Sequence, residues 1–315
     1  MAAFLNNDSK HHGSCGCTRS CHHRHHYCRY CHRRRLTQHH QKEDPMHRFL
    51  TDDISIASYS FHQLLADGQM DSYGYLESLR YRYHLTTADI WNGFIREADE
   101  ADLKNIRRAM NERGITLANL CCDWAHPWDE DPDQLAANNH MAERMLRAAE
   151  ILGAASVRFD VGVREDEIND EQFDYVAAKF AQYAAFGHNA GFAVGPENHW
   201  GASRRLSLQR RLHEAINSPA YGMLLHLGNW QLEDGRSADE TDRLAAPLAV
   251  HTHVSYEMAM RADEVLPPLR AAGYKGVFSC EFHRGVHAYE GVAAHVGLMR
   301  YALAKMRDSA ATPDA

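Results

Sequence analysis

From residue 46 onward the chain alternates short apolar runs with longer segments of helical periodicity, and it does so eight times. That alternation is the mark of a parallel sheet whose strands are joined by helices. The strand-like runs fall at 54–61, 88–91, 115–120 and 157–160, followed by four that close on Glu197, His226, His253 and Glu281. Helical spacing of apolar residues follows at 73–81, at Leu103, Ile106 and Met110, from Leu135 to Leu152, and at Phe173, Val176, Phe180 and Tyr183. It returns at 206–216, 241–246, 264–272 and 292–306. Gly114, Gly153, Gly191 and Gly273 each stand just past a helix and before a strand, where a C-cap turns the chain. Eight such units, without a GxGxxG phosphate loop, predict an α/β fold closed as a single (β/α)8 barrel over 46–315 rather than a doubly wound open sheet.

The first 45 residues are a different kind of sequence. They hold five of the eight cysteines (Cys15, Cys17, Cys21, Cys28 and Cys31) and nine of the 23 histidines, with almost no aliphatic residue to build a core. The expectation is a disordered His/Cys-rich tail. A zinc or copper site built on Cys28 and Cys31 is the functional alternative, but one CxxC with irregular flanking spacings is a weak signal. Met46 opens directly onto barrel-like sequence and is the expected true start. Cys121, Cys122 and Cys280 in the body read as reduced thiols.

Charge narrows the partners. The chain carries a formal −8, yet residues 1–45 hold eight Lys/Arg against three Asp/Glu, net +5, which leaves −13 for 46–315. A body that acidic is a poor surface for phosphate backbones, so no nucleic-acid partner is expected. No apolar run approaches the ~20 residues of a membrane span, and no secretory h-region opens the chain, so a cytoplasmic protein without a membrane partner is predicted. Homo-oligomerisation stays open.

In a barrel of this kind the C-terminal strand ends converge on one mouth. Glu197, His226, His253 and Glu281 end four successive strands, so two carboxylates and two imidazoles would meet there, a donor set that suits one divalent cation. His251 lies two residues before His253, on the same side but one layer deeper, and reads as a core histidine. Arg158 and Asp160 alternate on the fourth strand, as a buried ion pair or as substrate contacts. His62 and His126 read as pocket wall or surface.

The segments GPENHWG (195–201), HLGNW (226–230), VHTH (250–253) and SCEF (279–282) resemble the xylose isomerase-like TIM barrels, in particular the sugar phosphate isomerase/epimerase group. The resemblance runs from about residue 54 to 306 and implies one divalent metal ion held by Glu197, His226, His253 and Glu281. It also implies that Glu197 and Glu281 act as the acid/base pair on a small carbohydrate. His226 is a departure, since the family has Asp there, and the Lys and Asp that normally follow the third motif are replaced by Val254, Ser255 and Tyr256. Imidazole for carboxylate removes one negative charge and shifts preference from Mg2+ toward Mn2+, Fe2+ or Zn2+.

The chemistry expected is removal and return of a proton α to a carbonyl, in a small sugar, sugar acid or polyol. His199, Asn229, Trp230, His283, Arg284 and Arg158 are the candidate substrate contacts, with Arg284 suited to an anionic group. Three rivals stand beside this reading: a lyase like the inosose dehydratases, a degenerate barrel acting as a binding subunit, and a trinuclear-zinc AP endonuclease. The acidic body and Asn229 in a ligand-like slot argue against the last.

Overall fold

The computed structural model describes residues 53–311, so the expectations for the tail and for Met46 fall outside the described residues. Eight strands are described: β1 Ile54–Ile56, β2 Thr87–Trp91, β3 Thr116–Cys122, β4 Ala154–Phe159, β5 Ala193–Gly195, β6 Met223–His226, β7 Ala249–Ser255 and β8 Phe278–Glu281. Every pairing between them is parallel. Their ladders form two four-stranded sheets, β2-β3-β4-β5 and β1-β8-β7-β6. Isolated bridges close the ring, Ala57 with Asp89 on one side and Val194 with Tyr221 and Glu197 with Leu224 on the other.

The intervening helices begin and end where local chemistry dictates. Asp99 and Asp102 form a reciprocal capping box that starts Glu100–Glu112, and Asn169 with Gln172 does the same for Asp170–Ala190. Helix Pro132–Leu152 buries Ala142, Met145, Leu146, Ala149 and Leu152 against the barrel and stops at Gly153 with φ 66°. Gly114, Gly191 and Gly273 also carry positive φ, as their positions predicted. No helix among the described residues is long and apolar enough to cross a membrane.

The first strand is shorter than its pattern suggested: 58–61 forms a 3-10 turn instead of continuing the sheet. Ser58 and Ser60 supplied the apparent alternation, but their hydroxyls accept the backbone N–H groups of Trp91 and Phe282, at 2.8 and 2.9 Å, in place of ladder bonds. Across the same seam the Tyr75 hydroxyl donates to the Ile56 carbonyl at 2.5 Å and accepts from the Asp89 N–H at 3.0 Å.

At the other seam the two backbones press together. A β-carbon at position 195 would stand 2.1 Å from the Gly222 carbonyl oxygen, so only glycine allows this approach. The Leu224 N–H reaches the Pro196 carbonyl at 2.8 Å.

Barrel interiors are commonly filled by branched aliphatics. Here the lumen holds a polar chain: the Ser156 hydroxyl donates to Asn119 at 3.0 Å, and the Asn119 amide donates to Asp89 Oδ1 at 3.0 Å. Asp89 Oδ2 accepts from His251 Nε2 at 2.9 Å, His253 Nε2 at 3.0 Å and the Ser279 hydroxyl at 2.7 Å. All six residues are buried. Burial alone would raise the Asp89 pKa, but His251 and His253 outweigh it and hold the carboxyl well below the usual range.

Candidate metal centre

Glu197 lies two residues beyond β5, on the bridge to Leu224, while His226 and Glu281 end β6 and β8 and His253 stands inside β7. Parallel strands in register carry these side chains to one point. Glu197 Oε1 lies 3.0 Å from His226 Nδ1 and 3.2 Å from His253 Nδ1. Glu281 Oε2 lies 3.3 Å from His253 Nδ1 and 3.7 Å from His226 Nδ1. A tetrahedral ion with arms of ~2.1 Å has ligand–ligand edges of roughly 3.4 Å. Four of the six edges thus lie near that length, and all four atoms stand within 4.8 Å of one another.

The protonation pattern gives a sharper test of fit. His253 Nε2 faces the Asp89 carboxylate at 3.0 Å and must carry its proton there. In the neutral ring Nδ1 is then a lone pair aimed at two carboxylate oxygens, which is repulsive unless a cation lies between them. Either a second proton or a metal ion supplies that charge. Burial opposes a charged His253, yet Glu281, Glu197 and Asp89 outweigh it and hold its pKa well above the usual imidazole range. The residues present thus fit a divalent cation.

The carboxylates are held ionised. Glu197 is 1% exposed and burial would raise its pKa, but the Arg158 guanidinium, with His253 and His199, holds it well below the ordinary range. Arg158 Nε sits 2.9 Å from Glu197 Oε2 as an ion pair, with angles short of a hydrogen bond. Glu281 is likewise buried, and His253, the bond from His283 and His226 bring it to about 2.

The candidate substrate contacts divide. His283 stays at the mouth, its Nε2 on Glu281 Oε2 at 3.1 Å and its ring 6.1 Å from that of His226. His199 is partly exposed and its Nδ1 meets Asp160 at 3.2 Å; Glu197 and Asp160 overcome burial to raise its pKa to about 9. Arg158 is buried, paired with Asp123, Asp160 and Glu197 at 2.9–3.0 Å, so the ion-pair alternative describes it.

Others are turned to the scaffold. The Asn229 amide donates to the Asn198 and His199 carbonyls, at 2.7 and 2.8 Å. Trp230 is buried in the core with its indole N–H on Asp242 at 2.6 Å, and Arg284 is exposed and paired with Glu257 at 3.2 Å. His62 stacks on Tyr59, and His126 meets the edge of Trp200.

Two contributors escape a reading by strand ends. Asp89 is one: Thr87 to Ile90 are all buried on β2, so no polar–apolar alternation marks which face it takes. Asn198 is the other: it accepts the His226 N–H at 2.7 Å and donates to the His226 carbonyl at 2.8 Å, gripping that residue's backbone from the neighbouring strand end.

Three solved structures share this arrangement of elements. A D-psicose 3-epimerase determined with D-fructose is 17% identical, with a TM-score of 0.60 over 81% of this chain and 98% of that one. The D-psicose 3-epimerase of Clostridium cellulolyticum H10, with D-tagatose, is 14% identical at a TM-score of 0.65 over 80% and 99%. The E. coli 3-keto-D-glucoside 4-epimerase is 14% identical at a TM-score of 0.63 over 80% and 100%. At such identities the likeness establishes the fold, and no curated protein matches the chain. The family described as xylose isomerase-like TIM barrel matches residues 83–302, and the chain belongs to that family.

Proposed function

We propose that this protein is a divalent-metal-dependent isomerase or epimerase that acts on a small sugar, sugar acid or polyol-derived carbonyl compound by abstracting a proton α to the carbonyl. The observation that carries this reading is the convergence of Glu197, His226, His253 and Glu281, two ring nitrogens facing two carboxylate oxygens at 3.0–3.7 Å. The sugar epimerases among the structural relatives support the substrate class.

A cation held by these four residues would supply Lewis acidity and orientation to the substrate oxygens. The protein's own groups divide the remaining work. Glu197, clamped through Oε2 by Arg158, is fixed in position and kept anionic. The contacts of Glu281 with His226, His253 and His283 all fall on Oε2, which leaves Oε1 for the substrate. Glu281 is therefore the carboxylate better placed to take a proton, with Glu197 as its counterpart on the other face. His283 beside it shields the mouth and can donate to a substrate hydroxyl.

The test is isotope exchange in the whole chain loaded with Mn2+. Free ketoses, inososes and keto acids incubated in D2O should acquire deuterium beside the carbonyl. The Glu281→Ala protein should bind one equivalent of cation fewer than the parent and lose the exchange. A metal-loaded parent that exchanges none of these compounds refutes the isomerase reading, and loss of water from an inosose moves the assignment to dehydration.

A further inference from the structure

The barrel floor holds a carboxylate that touches no reacting atom. Asp89 reaches across the lumen from β2 to β7, two strands of different sheets, and its Oδ2 collects His251 Nε2, His253 Nε2 and the Ser279 hydroxyl within 3.0 Å. Its Oδ1 is held by Asn119, which is held in turn by Ser156. No side chain in this chain of bonds is free to turn: all are buried, and the carboxylate is fixed by four donors from β3, β7 and β8.

We propose that Asp89 is a positioning residue that sets which nitrogen His253 offers to the cation. By accepting the hydrogen bond from Nε2–H it favours the tautomer with the lone pair on Nδ1, the atom that faces Glu197 and Glu281. A rotated ring would turn a carbon toward Asp89 and forfeit that bond. An imidazole hydrogen-bonded to a carboxylate is also a stronger donor to a metal than one bonded to water. His251, one layer below, matters indirectly: it and Ser279 hold Oδ2 where His253 needs it. The inference rests on the metal reading above but concerns a residue outside the ligand set.

The experiment measures tautomer and affinity separately. In uniformly 15N-labelled protein saturated with Zn2+, long-range proton–nitrogen correlation should show His253 protonated at Nε2 and metallated at Nδ1. Asp89→Asn presents an amide in place of the carboxylate, and Zn2+ affinity by competition with a chromophoric chelator should fall about 10–100-fold. In the Co2+ protein the visible d–d bands should shift in the same variant.

A His253 that coordinates through Nε2 in the parent overturns the proposal without recourse to any variant. So does a folded Asp89→Asn protein with parental Zn2+ affinity and an unchanged Co2+ spectrum. If the parent instead binds no more cation than Glu281→Ala does, the metal reading itself has failed, and the positioning role falls with it.

Discussion

His295 is a histidine with nowhere to put its charge. It sits in the last helix, Ala288–Ala311, fully buried, with both ring nitrogens lacking a hydrogen-bond partner and its ring against the edge of Tyr256 at 5.7 Å. Burial lowers its pKa from the usual 6.5 to about 4, while Glu257 and Glu281 pull weakly upward and His283 downward. Because the folded value lies below the unfolded one, the unfolded chain takes the proton more readily, so stability is full above pH 6.5 and drains away as pH falls toward 4. At ~1.4 kcal/mol per pKa unit the complete loss is about 3 kcal/mol, of which ~2 kcal/mol has gone by pH 5.

Replacing the ring in His295→Leu removes this titration and two unpartnered nitrogens while keeping comparable volume. Urea unfolding followed by tryptophan fluorescence at pH 7.5 and pH 5.0 gives the comparison. The parent should lose ~2 kcal/mol more than the variant over that interval, or roughly 4–8 °C in melting temperature for a domain of this size. Parallel pH dependence in the two proteins would falsify the claim that the ring is buried neutral.

Two further outcomes follow from the site and the chain's organisation. His226→Asp should keep the cation bound but move preference toward Mg2+ and Mn2+, since carboxylate oxygen is the harder donor. Its affinity should also depend on acid pH about one log unit per pH unit less steeply, because one competing imidazole is gone; identical titrations of parent and variant would make His226 a bystander. Deletion of residues 1–45 should leave the melting temperature and any isotope exchange unchanged, and an insoluble or inactive product would contradict the barrel's independence.

The lines of the barrel were open to inspection in the sequence because parallel strands are buried on both faces and stand out as apolar runs. The glycines after the helices marked their ends for a steric reason, and the apolar runs closing on Glu197, His226, His253 and Glu281 marked where four strands approach the mouth, although Glu197 lies past β5 and His253 inside β7. What stayed hidden was direction within a loop. Asn229 and Trp230 stand three and four residues past His226, yet a turn at Gly228, with φ 76°, directs Trp230 to Asp242 inside the core. Asp242 keeps that place although burial raises its pKa to about 6. Spacing could not reveal this, because Asp242 lies on the next helix and the contact is tertiary. Asp89 was hidden differently: a lone acid inside an apolar strand is visible, but its two histidine partners lie more than 160 residues away.

The ring of strands is not uniformly fastened. Six junctions carry regular ladders, whereas β1 meets β2 through one isolated bridge and β5 meets β6 through two and a glycine pair. Glu197 stands on that junction, in the half built from β2 to β5, and the three residues facing it belong to the other half. On the metal reading, the cation is a rivet as much as a reagent, joining two half-barrels across one of the two junctions that carry no regular ladder. Loss of the cation would then be a mechanical event as well as a chemical one, leaving the seam to its two bridges.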